Sequence, residues 1–269
     1  MSIGTCKFCG QEKKLINAHI VPECFYLGLK NKDKYVNFDA NLKSRQYKIY
    51  QKGGMDKNIL CAECDGKILG KLDNEGKKVL LENFSKYKCE YHSSQKIYKI
   101  DNSNYDYNKL RKFFISILWR ASISELPEWK PINLGKYEKI AFDILKDKKE
   151  HKELFKILIF KNCYNESLNN EITISKCKTT KFKKYTIQLA GYLIEIVLDA
   201  SRTNNQYKQL YEQAFLNSDF ATIIETLDVS RRIKEEYDLG ISKLQQKSVD
   251  LSKFHKKKKL DFQKLPSDE

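Results

Sequence analysis

The sequence predicts an α+β fold: a cysteine-stapled N-terminal module, then a helical segment, a small antiparallel sheet and C-terminal helices. Three observations carry this. Cys6-Lys7-Phe8-Cys9 and Cys61-Ala62-Glu63-Cys64 form two Cys-x-x-Cys pairs. Leu110, Phe113, Phe114, Ile117, Leu118 and Ala121 recur at the spacing of one helix face. Runs rich in β-branched and aromatic residues fill much of the stretch from 157 to 199.

The elements follow in order. After the first pair, Lys14 to Pro22 reads as a short strand ending at the proline. Residues 31–52 are polar, with Tyr35, Tyr47 and Tyr50 among lysines, and read as a hairpin or loop excursion ended by Gly53-Gly54. Leu69, Leu72, Val79 and Leu80 suit a helix from Asp65 to Phe84. The core helix is expected from Lys109 to Ser122, with Trp119 and Arg120 read as packing and surface. Tyr137 to Leu145 and Lys148 to Phe155 read as further helical turns. Strands are expected at 157–161, 171–177, 184–189 and 192–199, with Ala190-Gly191 turning a hairpin. Asn205 to Gln246 reads as helical, and the tail through Lys256–Lys259 as a solvated end.

Two residues between cysteines let both thiolates reach one ion, and two such knuckles complete a tetrahedral shell. Cys6, Cys9, Cys61 and Cys64 are therefore expected to hold one zinc ion. Four sulfur ligands leave no open position, so the zinc is structural. Gly10 follows the first pair, where the chain must turn sharply. Leu60 and a helix after the second pair suit a treble-clef arrangement. Cys24, Cys89, Cys163 and Cys177 are scattered and read as ordinary thiols.

Hydrophobic residues make up 41% of the 269, enough for a real core. The formal net charge of +15 favours polyanionic partners, nucleic acid first. No apolar run approaches the ~20 residues that span a bilayer, so no membrane is expected. MSIGTCKFCG lacks a signal-peptide layout, and the expected location is the cytoplasm.

Between the knuckles lies Asn17-Ala18-His19-Ile20-Val21-Pro22, and Asp65 directly follows the second knuckle. A shared clamp brings an imidazole and a carboxylate together on a ββα-type scaffold. Phosphodiester hydrolysis needs a base to activate water and a cation to offset charge on the phosphorane. These words, CKFCG, AHIVP and ILCAECD, resemble the zinc-containing members of the HNH endonuclease superfamily. A group of bacterial proteins that share a downstream Ser-x-Leu-Trp-Arg helix is more similar still, and Ser116-Ile117-Leu118-Trp119-Arg120 matches it. The resemblance implies a ββα-metal module with His19 as general base and Asp65 holding a catalytic Mg²⁺ or Mn²⁺. The family's base-orienting Asn has its counterpart in either Asp56 or Asn58, and Asp73 is a spare carboxylate for the metal. Ala18 stands where many members carry a second metal-binding Asp.

The expected division is a nuclease-like module over 1–86 and an α+β accessory domain over 100–269. The second would serve substrate selection, a protein partner or homo-oligomer contacts. The leading functional expectation is a metal-dependent endonuclease acting on DNA, with RNA as the other substrate and bacterial defence against foreign DNA as a use. A non-catalytic zinc module that binds nucleic acid, and an adaptor subunit, are the alternatives.

Overall fold

The computed structural model describes residues 3–29, 35–38, 47–50, 54–92, 95–162, 172–177, 183–203 and 212–226. The chain starts with a two-stranded hairpin, β1 (Ile3–Thr5) and β2 (Glu12–Lys14), whose turn is the first cysteine pair. Strand β3 (Ala18–His19) follows. Next, β4 (Tyr35–Phe38) and β5 (Tyr47–Tyr50) pair antiparallel, as a hairpin excursion requires. Strand β6 (Met55–Asp56) then returns to pair antiparallel with β3, placing Ala18 opposite Asp56 and His19 opposite Met55.

The second cysteine pair opens a helical run. It begins as a wide π turn, Glu63–Leu69, continues as α1 (Gly70–Lys77) and ends in a second π turn, Lys78–Glu82. Its buried side chains include Leu69, Leu72, Val79 and Leu80, the residues whose spacing predicts it. A hairpin follows, β7 (Lys88–His92) and β8 (Gln95–Asp101).

Helix α2 (Tyr107–Ile123) is the centre of the molecule. Asp106 caps it by accepting the Lys109 N–H at 3.0 Å, which satisfies one of the open donors of the first turn. Leu110, Phe113, Phe114, Ile117, Leu118 and Ala121 are fully buried. Helix α1 approaches it so closely that a Cβ on Gly76 would lie 2.4 Å from the Phe113 ring. Helix α3 (Lys136–Leu145) also packs on α2.

Strands β9 (Leu154–Asn162), β10 (Ile172–Cys177), β11 (Lys184–Leu189), β12 (Tyr192–Asp199) and β13 (Phe220–Thr226) join β7 and β8 in one sheet. Its order is β10-β11-β12-β9-β13-β8-β7. The β13–β9 pairing is parallel and the others are antiparallel. Ala190 and Gly191 turn the β11–β12 hairpin with φ of 47° and 81°, the left-handed pair that a two-residue turn of this kind requires. Strand β12 is buried along nearly its whole length because both faces are covered. Ile194, Ile196 and Leu198 join the main core, whereas Leu193 and Val197 join a smaller cluster with Leu158, Phe160 and Phe215.

Two expectations need correction. Residues 212–226 are not helical: they form a short 3-10 turn, Glu212–Ala214, and then β13. The sequence Phe-Ala-Thr-Ile-Ile-Glu-Thr is β-branched, and its place between two strands outweighs the polar, helix-like surroundings. The other residues of the expected 205–246 helix, and the tail, lie outside the described residues. Lys148 to Phe155 is not helical either, since β9 begins at Leu154. One apolar core runs continuously from Cys6 through α2 to Ile223. Tyr192 of the sheet donates its hydroxyl to the Leu80 carbonyl at 2.7 Å, tying β12 to the N-terminal helical run. The described residues between the expected domains include β7 and part of β8, at one edge of the sheet.

Candidate functional site

The two cysteine pairs meet. The Sγ atoms of Cys6, Cys9, Cys61 and Cys64 all lie within 4.8 Å of one another, and all are buried except the half-buried Cys9. A tetrahedron with Zn–S near 2.3 Å has edges of roughly 3.8 Å, so the group can hold one zinc ion with little movement. Local backbone geometry builds the cluster. Gly10 adopts φ +74°, a conformation that costs a glycine little, and donates its N–H to the Cys6 carbonyl at 2.8 Å. The Lys7 N–H reaches the Ile59 carbonyl at 2.8 Å, and the Ile16 N–H reaches the Leu60 carbonyl at 3.0 Å. These bonds lay the two knuckles side by side. The Cys61 N–H then points at the Cys6 sulfur, 3.4 Å away.

The electrostatics ask for a cation. Burial pushes the Cys6 thiol up, but N–H groups of Cys9, Cys61 and Phe8 outweigh it and bring it down to about 7. The Cys64 thiol is pushed well above its ordinary range, first by burial and then by its cysteine neighbours. A thiolate is thus favoured at Cys6 and opposed at Cys64. A dication removes that conflict, because it favours all four charges at once.

His19 and Asp65, on the flanks of the two knuckles in sequence, are both half-buried. His19 sits at the end of β3, whose neighbours Ala18 and Ile20 are fully buried. The Ile20 N–H donates to the Gly54 carbonyl at 3.0 Å, extending the pairing with β6. Asp65 stands in the first turn after the second knuckle, and its N–H donates to the Cys61 carbonyl at 3.0 Å. Burial pushes its carboxyl above the ordinary carboxylate range; the Arg120 charge opposes this and the Asp73 charge adds to it.

Arg120 links these pieces. It is fully buried, and its fork grips Asp73 with Nη2 at 2.6 Å and Nη1 at 3.3 Å. Nη1 also donates to the main-chain carbonyl of His19 at 3.0 Å. Ser116, one helical turn back, accepts from Nη2 at 3.1 Å through its hydroxyl. The expectation that Arg120 lies on the surface therefore fails. A signal was present: Arg120 is seven residues after Phe113 and three after Ile117, on the buried stripe of α2. Trp119 does pack, edge-on to Phe8 of the first knuckle with ring centroids 5.7 Å apart.

The other named residues fall elsewhere. Asp73 is engaged by Arg120 rather than standing spare. Asp56 is buried and holds a loop: Oδ1 accepts the Asn58 N–H at 2.8 Å, and Oδ2 accepts the Ser124 hydroxyl at 2.8 Å and the Glu125 N–H at 3.0 Å. Asn58 is exposed. Cys24 is half-buried and its thiol is pushed up to about 11, by burial first and by Asp73 second.

Among the described residues, no helix is long and apolar enough to cross a membrane. Compared with known proteins, the chain matches no family model, no curated protein and no solved structure.

Proposed function

We propose that this protein is a metal-dependent endonuclease of the HNH type, hydrolysing phosphodiester bonds in DNA. The observation that carries the reading is one local arrangement. A histidine ends a strand (β3), that strand pairs with β6, and β6 leads through a cysteine knuckle into a helix whose first turn bears a carboxylate. This is the order of parts that a ββα-metal nuclease uses, with the knuckles in a treble-clef-like role. Zinc held by Cys6, Cys9, Cys61 and Cys64 is structural and fixes the knuckle against the helix. Asp65 would hold Mg²⁺ or Mn²⁺, hard cations that keep several waters and accept phosphate oxygens as ligands. That ion would supply charge stabilisation at the phosphorus. His19 takes the proton from the attacking water, and the formal charge of +15 draws the polyanion in.

The test is cleavage of plasmid and oligonucleotide DNA by zinc-loaded protein with Mg²⁺ or Mn²⁺. His19→Ala should lower the rate by ~10²–10⁴-fold and leave DNA binding nearly intact. A wild-type protein that cuts nothing with either metal, or a His19→Ala variant as fast as wild type, would overturn the reading.

A second reading has its own support. Asp73 is committed to Arg120, and Ala18 offers no ligand, so Asp65 is short of partners for a metal. A zinc module that binds nucleic acid without cutting it needs no such partners. Salt-dependent DNA binding without cleavage is its signature.

A further inference from the structure

We propose that Arg120 is a positioning residue that locks the His19-bearing strand onto the Asp65-bearing helix. Its activity test rests on the nuclease reading; its geometry does not. Three elements meet on this one guanidinium: β3 through the His19 carbonyl, the α1 run through Asp73, and α2 through Ser116. The Nε–H also donates back to the Ser116 carbonyl, at 3.4 Å. Burying a guanidinium is costly, and a Leu or Met of similar size would fill the space without that cost. What the arginine adds is direction. Its planar fork fixes two partners in one plane, which the point charge of a lysine cannot do.

The acceptor on β3 is the informative one. Arg120 holds the main chain of the very residue whose side chain the reaction needs. Strand β3 is two residues long, so its own ladder defines its place weakly. The same arginine bears on Asp73, two helical turns beyond Asp65 on a continuous helical run. Fixing both ends of that contact sets the distance and angle between imidazole and carboxylate. Misplacing a reacting group by about 1 Å can cost ~10²-fold, so a residue out of reach of substrate can still govern the rate.

The experiment uses the full chain with two variants, Arg120→Lys and Ser116→Ala, each checked for zinc content and circular dichroism. The first readout is hydrogen exchange at the backbone amides of residues 18–20. In Arg120→Lys these should exchange on the order of tenfold faster while zinc is retained. Ser116→Ala, which removes one bond to the fork and little volume, should move the same amides by a few-fold. The second readout is DNA cleavage with Mg²⁺. Arg120→Lys should lower kcat by ~10–10²-fold with KM held within roughly twofold. In a His19→Ala background the same change should cost almost nothing more, because Arg120 acts through His19. Unchanged exchange at 18–20 in a zinc-loaded Arg120→Lys protein overturns the proposal. So does a loss of kcat that is as large without His19 as with it. If Arg120→Lys does not fold, the exchange and kcat of Ser116→Ala decide in its place. If wild type cuts no DNA, the nuclease reading fails alone, and the exchange result still decides for or against Arg120.

Discussion

The four-cysteine centre and the Arg120 clamp solve the same problem in opposite ways. Both join the strand side of the N-terminal module to its helix. The centre draws four clustered thiols from two short words, each of which brings its own turn. The clamp draws one side chain from α2, a main-chain carbonyl from β3 and a carboxylate from α1. A local device announces itself in the sequence, because spacing is its chemistry. A non-local device does not, because its partners are neighbours only after folding. The two also differ in what they tolerate. A metal shell missing one ligand loses much of its affinity, whereas a buried fork can lose one bond and keep the others.

The largest effect should come from the centre. Replacing Cys61 with Ser removes a sulfur from the cluster and leaves the backbone N–H that points at Cys6. Structural zinc contributes roughly 10–16 kcal/mol to folding in small modules, far more than a single core contact. Cys61→Ser should therefore lose its zinc and aggregate or unfold through residues 3–92. Metal analysis and circular dichroism check this. Wild-type protein carrying about one zinc per chain is the companion expectation, and zinc-free but well-folded wild type would break the comparison at its root.

A middling effect tests how closely the helices are joined. Gly76 sits where α1 meets Phe113, and a Cβ there would lie 2.4–2.5 Å from that ring. Phe113 is fully buried and stacks on Phe25, so it has nowhere to retreat. On an isolated helix Gly→Ala is stabilising, by about 1 kcal/mol. Here overpacking should win, and Gly76→Ala should destabilise by about 1–3 kcal/mol, read as a fall in Tm. A rise in Tm would mean that α1 and α2 are less tightly joined than their packing implies, and would weaken the case that the module leans on α2.

Legibility followed the same divide between local and distant information. The knuckles, the turn at Gly10, the α2 stripe and the β11–β12 hairpin at Ala190-Gly191 all depend on neighbours in the chain, and each was readable. Strand β13 was not, because a seven-residue strand between polar stretches has the composition of either element. Only its pairing with β8 and β9 decides. Asp56 looked like a candidate to orient the histidine. The structure instead places its oxygens on Ser124 and Glu125, partners at the far end of α2 that no local pattern predicts. Arg120 is hard to place from sequence for a related reason. Charge argues for the surface, position on the buried stripe argues for the core, and the deciding fact is a carboxylate at Asp73 to receive it.

The smallest effect uses Cys24 as a reporter on the clamp. Its thiol is pushed up to about 11, by burial first and then by the Asp73 charge, while Lys77 pulls it the other way. An ordinary thiol titrates near ~8.5, so at pH 8 Cys24 should hold about a few hundredfold less thiolate and alkylate correspondingly slowly. Exposed Cys89 is the internal comparison, resolved by peptide mapping after iodoacetamide. The sign of the stability effect follows. The folded state holds this proton more tightly than the unfolded state does. The contribution is therefore present below the ordinary thiol value and is lost as pH rises from there through about 11. Asp73→Asn removes the second cause and leaves the first. Cys24 alkylation should then speed up by a few-fold and no more, with the four-cysteine centre untouched and its zinc retained. A large jump in reactivity, toward that of Cys89, would mean that losing the Asp73 charge had opened the packing around Cys24. The clamp would then be holding the module together and not merely aligning it, and the contrast between a stabilising centre and an aligning clamp would have to be withdrawn.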